Sequence, residues 1–190
     1  MGISNYALDT FVAQEMSKLT QLSINSLADE FPNADNWLAQ FVTKRIFQTR
    51  VPNERAAVAF AVVRRTHAAL QEWELASVAA KGDLRSVGAY FNMLRHLENC
   101  ISSVSQGLEF IRKSLGEDLF QKGDGSVYAR LNWVYNVSRH FTPEALPQGD
   151  LHRIWLSDEA IHTREHSVMF NELRETIAEL ASISEDICGT

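Results

Sequence analysis

The segment Asn136-Val137-Ser138-Arg139-His140 gathers an amide, a guanidinium and an imidazole within little more than one helical turn. Asn136 and His140 are four residues apart, so on a helix they stack on one face, with Asn132 a turn earlier and Arg139 adjacent. Histidine exchanges a proton near neutral pH, and arginine grips phosphate with a planar fork. The set therefore suits acid–base chemistry on a phosphate-bearing ligand, or its binding. It equally suits a solvated helix end, where His and Arg complement the negative pole of the dipole.

Other constellations compete with it. Within Arg95-His96-Leu97-Glu98-Asn99, Glu98 stands at the edge of an apolar stripe containing Leu94, Leu97 and Ile101. A carboxylate there requires a partner, because unpaired burial is costly. Arg139 or His140 on a packed neighbouring helix would supply it, as a register lock or as the acid half of a site. The run His162-Thr163-Arg164-Glu165-His166 matches H-x-x-E-H, in which two histidines on one helix face hold zinc and the Glu activates water. Its surroundings read as a hairpin rather than a helix, and His152 is the convenient further ligand. A polar hairpin tip is the expectation, and a metal-dependent hydrolase through His162, Glu165 and His166 a minor alternative. His67, on a face with Phe60, Val63 and Leu70, reads as a core histidine with one hydrogen bond.

Charge is unevenly spread. Lys44, Arg45, Arg50, Arg55, Arg64 and Arg65 against Glu54 give +5 over residues 44–65, while residues 156–190 hold 8 acidic and 2 basic side chains. Docking of the basic run on the acidic C-terminal helix is expected in preference to nucleic-acid binding by that run. The chain as a whole carries 18 basic and 24 acidic residues, a net −6, which disfavours recognition of nucleic acid by overall field. There is no G-x-G-x-x-G, Walker loop, C-x-x-C pair or G-x-S-x-G, so no cofactor is expected. Cys100 and Cys188 read as free thiols of a reducing compartment. The N-terminal residues show no secretory pattern and no segment approaches membrane-spanning length, so the expectation is a cytoplasmic protein without a membrane.

The elements that must position these residues are helices. Gly (9) and Pro (4) together make 13 of 190 residues, too few for a loop-rich or all-β chain. Helical periodicity predicts a first helix over about 4–31, a second over 35–50, and a third from Asn53 to about 81. A fourth carries the cleanest stripe, from Leu84 and Val87 through Leu94, Leu97, Ile101 and Val104 to Leu115, and Gly116 stands at its C-terminal cap. A fifth spans about 126–141. A short strand over 153–156 pairs near 167–169, and an acidic last helix covers about 171–185. The fold class expected is all-α: an antiparallel helical bundle with a small β-hairpin before the last helix, as one domain over 1–190.

The order of LRHLENCISSVSQGLEFIRKS, a helix ending YNVSRHF, and IWLSDEAIHTREHSVMFNELRETI resembles bacterial members of the HEPN superfamily over about 84–177. These are all-α, usually homodimeric domains. Many are metal-independent ribonucleases of defence or toxin–antitoxin systems, and others bind without catalysis. Their motif is Arg, four to six residues, then His near a helix end. His140 matches the histidine, but Trp133, Val134 and Tyr135 occupy the positions open to the arginine. Arg130 is too distant in sequence, and Arg139 projects about 100° from His140 around the axis. The resemblance implies a HEPN-like protein that binds or cleaves RNA or nucleotide around His140, with Asn136, Arg139 and Glu98. The alternative is a non-catalytic helical homodimer serving as a protein-interaction module.

Overall fold

The computed structural model describes residues 4–46, 53–82, 84, 86–116, 118, 119, 121, 123–139 and 153–189. The chain is mostly helical, with six α-helices and one small three-stranded sheet among the described residues. None of those helices is long and apolar enough to cross a membrane.

Helix α1 (Asn5–Phe11) opens with Ser4, whose hydroxyl accepts from the Ala7 amide. The first helix does not continue to residue 31 as the periodicity predicts. Asp9 accepts from both the amide (2.7 Å) and the hydroxyl (2.6 Å) of Ser17, folding a 3-10 turn at Met16–Lys18 back onto α1. Residues 19–27 then run as an extended strap. Their spacing of apolar residues, Leu19, Leu22, Ile24 and Leu27, buries side chains without forming a helix. The intervening Thr20, Ser23, Asn25 and Ser26 have low helix propensity, and other elements satisfy their backbone. The Thr20 amide and hydroxyl bond Asp158, the Ile24 carbonyl accepts from Ser77, and the Asn25 carbonyl accepts from the Trp73 indole at 2.8 Å.

Helix α2 (Trp37–Gln40) begins where the second helix is expected and continues as a π-helical turn over Phe41–Ile46. Helix α3 (Asn53–Ala79) is rich in Ala, the strongest helix former, and buries Val62, Val63, Ala69, Leu70, Trp73 and Ala76. Thr66 is also buried in it, and its hydroxyl is satisfied by the Val62 carbonyl four residues back. Helix α4 (Val87–Leu115) buries the expected stripe through Leu94, Leu97, Ile101 and Val104. It ends at Gly116, whose φ of 72° places it in the left-handed region that favours glycine. The two long helices pair antiparallel: Glu72 meets His96, while Arg65 meets Gly107.

Helix α5 (Val127–Arg139) presents Leu131 and Val134 inward. Strands β1 (Trp155–Leu156), β2 (Ala160–His162) and β3 (Ser167–Met169) form an antiparallel meander. The expected pairing of 153–156 with 167–169 is corrected by β2, which lies between them and pairs with both. Leu156, Ile161 and Val168 stand in register and are fully buried, whereas Trp155, His162 and Ser167 stand in register on the opposite face. Helix α6 (Phe170–Cys188) lays Phe170, Leu173, Ile177, Leu180 and Ala181 against the core. Lys44 donates to the Gly189 carbonyl just beyond α6, a cation at a helix C-terminus, where the dipole favours it.

Candidate ligand-binding groove

The residues expected around the end of α5 are only partly assembled. Asn136 and Arg139 are both exposed. Arg139 is engaged by its own helix: its guanidinium lies 5.1 Å from the centre of the Tyr135 ring and hydrogen-bonds the Tyr135 hydroxyl. His140 lies outside the described residues, as do Phe141 and His152. Glu98 is half-buried on α4, and its charge adds to the burial that pushes the Tyr90 phenol up. The neighbouring arginine, Arg130, forks onto Glu172 at 2.6 and 2.9 Å and also donates to the Ser167 carbonyl. That guanidinium ties α5 to the start of α6. One pairing the sequence does not announce is Trp133, whose ring meets His166 edge-on at 5.3 Å on the surface of α5.

The H-x-x-E-H run forms the turn between β2 and β3, so the helical face on which its histidines would converge does not exist. His162 stacks on Trp155 (5.7 Å, 17°) and its Nε2 bonds the Ser157 hydroxyl at 2.8 Å. Burial holds its imidazole below the ordinary value, against the opposing charge of Glu15. His166 precedes Ser167, the cross-strand partner of His162, and alternation sends it to the other face, toward Trp133. No group of three or more His, Cys, Asp or Glu side chains among the described residues could hold a metal ion.

A groove of about 820 Å³ runs along α3, walled on one side by α4 and on the other by the strap and the turn that follows it. Two other described cavities are far smaller, at about 340 and 300 Å³. The groove's volume is typical of small-ligand sites. Apolar side chains line it, among them Leu27 of the strap, Phe31 of the turn after it, and Leu70, Leu75 and Val78 of α3, while the α4 wall is polar. Leu75 and Val78 are 49% and 66% exposed, an apolar stretch of helix with nothing described packed over it.

The polar groups at the groove are mostly paired. His67 Nε2 donates to the largely exposed carboxylate of Asp35 at 3.3 Å, so His67 has the single bond expected of it but lines the groove rather than the core. Glu72 takes His96 Nδ1 at 2.6 Å on one oxygen and the Asn99 amide at 3.2 Å on the other. Glu74 accepts from the Leu27 amide (2.6 Å) and the Ser26 hydroxyl (2.7 Å), anchoring the strap. Arg65 differs. It is half-buried, its Nε is enclosed without a hydrogen-bond partner, and it forms no ion pair with any described residue.

Sequence reasoning identified His67 and the run containing Arg65 but missed Glu72, Glu74 and Asp35 as groove residues. Glu98 lies between His96 and Asn99 in sequence but about 100° around the α4 axis from Asn99, off the face on which those two stand at a spacing of three. Compared with protein-family models, curated proteins and solved structures, the chain matches none of them.

Proposed function

We propose that this chain is a non-catalytic binding protein whose ligand occupies the groove between the strap, α3 and α4. The observation that carries the reading is the groove itself, large and lined by apolar and polar side chains together, with every acidic side chain lining it held by a partner from the same chain. Both imidazoles at the groove are bonded to carboxylates and neither to a serine, so the described lining supports binding rather than nucleophilic catalysis. In this reading the helices pack as an antiparallel bundle, and the protein acts as a homodimer in the cytoplasm. The buried free thiols of Cys100 and Cys188 are in keeping with a reducing compartment.

The test uses a neutral apolar fluorophore, N-phenyl-1-naphthylamine. Saturable, blue-shifted emission is expected with the wild type. Ala68→Trp, which fills the groove from α3, is expected to weaken binding at least about tenfold with the circular dichroism spectrum retained. Absence of saturable binding by the wild type would overturn the reading. Light scattering on the eluted protein reports the dimer.

A second reading keeps the HEPN-like expectation of RNA or nucleotide binding around His140. The exposed Trp133–His166 ring pair favours it, since Asn136 lies one turn along the same helix and Arg139 beyond it, an aromatic and cationic surface of the kind that stacks single-stranded bases. The commitment of Arg130 to Glu172 favours binding over cleavage there. Incubation of RNA with the wild type and with His140→Ala, each with and without EDTA, is expected to leave the RNA intact. Cleavage that survives EDTA and disappears in the variant would establish a ribonuclease instead.

A further inference from the structure

We infer that the groove is a site for a long-chain organic carboxylate, its head on Arg65 and its tail along the apolar wall toward Leu75 and Val78. This rests on the groove being the ligand site, and adds to it the chemistry of the ligand. Asp35, Glu72 and Glu74 each already accept hydrogen bonds from the chain itself, so those bonds are made before any ligand enters. What remains is one cation. Arg65 lines the groove and has no acceptor among the described residues; its Nε is closed off by protein atoms, so the terminal Nη pair is the fork left to a ligand. A carboxylate offers two coplanar oxygens to a guanidinium fork, and its single charge matches a single arginine. Ser102 and Ser103 of α4 also line the groove and add hydroxyl donors.

The length follows from the helix. Arg65 and Val78 are thirteen residues apart on α3, which at 1.5 Å per residue is about 20 Å. A head at one end and exposed apolar side chains at the other therefore suit an extended acyl chain rather than a compact anion. Leu27 of the strap and Phe31 of the turn after it face the same space and would cover the middle of that chain.

Dodecanoate, dodecanol and dodecyltrimethylammonium are each titrated against the full-length protein loaded with N-phenyl-1-naphthylamine. Dodecanoate is expected to displace the fluorophore at a concentration about tenfold or more below either of the others, the size of one charge-assisted bidentate contact. Arg65→Gln, checked for a wild-type circular dichroism spectrum, is expected to raise the dodecanoate midpoint to that of dodecanol. Equal displacement by all three would overturn the carboxylate assignment while leaving the groove as a binding site. Failure of the wild type to bind the fluorophore would remove both. The headgroup series uses the wild type alone, so it decides the matter even where the variant does not fold.

Discussion

Arg130 and Glu172 meet through two parallel hydrogen bonds and are each about three-quarters buried. The Arg130 bonds hold the Glu172 carboxyl below the usual carboxylate range, outweighing the burial that would raise it, and the Met169 amide helps. Removing one partner leaves the other charge half-enclosed and unpaired. Arg130→Met is therefore expected to lose about 1–3 kcal/mol of unfolding free energy at pH 7, measured by urea denaturation. Because folding lowers the Glu172 pKa, the pair's contribution is complete above the unfolded value of about 4.3 and is lost as pH falls through the lower folded one. The difference between wild type and Arg130→Met should accordingly shrink toward pH 3. A difference that stayed constant would show that Arg130 acts through packing alone.

The strap is the element whose form depends most on other elements. Its apolar residues recur at intervals of two and three, which neither a helix nor a regular strand repeats, and bonds from α3 and the β1–β2 turn fix its path. Asp158 at that turn is held below the usual carboxylate range. Burial raises it, but the Thr20 hydroxyl and the amides of Thr20 and Gln21 outweigh that effect. At the other end, Glu74→Ala would leave the Leu27 amide without its acceptor in a half-buried position. The expected result is a loss of about 1–3 kcal/mol, with faster hydrogen exchange at Leu27 and its neighbours. Unchanged exchange there would show that apolar burial alone holds the strap.

Across the molecule, α3, α4 and α6 approach one another at Gly107. A methyl group there would stand 3.6 Å from Leu180 of α6 and 3.8 Å from the Cβ of Arg65 on α3, ordinary contact distances. Gly107→Ala is thus expected to be neutral or stabilising by up to about 1 kcal/mol, since alanine is the better helix former. Gly107→Leu has no room between the two neighbouring helices and should destabilise by about 1–3 kcal/mol. Thermal denaturation of the two variants separates these outcomes. A Leu variant as stable as the Ala variant would mean that the three helices pack less closely than described.

The long helices were legible because burial on one face imposes a repeat of three and four that a sequence displays directly. The stripe of α4, the glycine that ends it and the inward side of α6 all follow from that repeat. The small sheet before the last helix was legible in kind but not in pairing, because two- and three-residue strands carry too little alternation to show register. Of the helix expected over 4–31 only Asn5–Phe11 forms, since the segment beyond it is satisfied by distant carboxylates and carbonyls and leaves no local periodic signature. The groove belongs wholly to tertiary structure. Residue types make Arg65 and Glu72 equally polar on paper, and only the packing of α3 against α4 and the strap gives Glu72 its partners and leaves Arg65 without one.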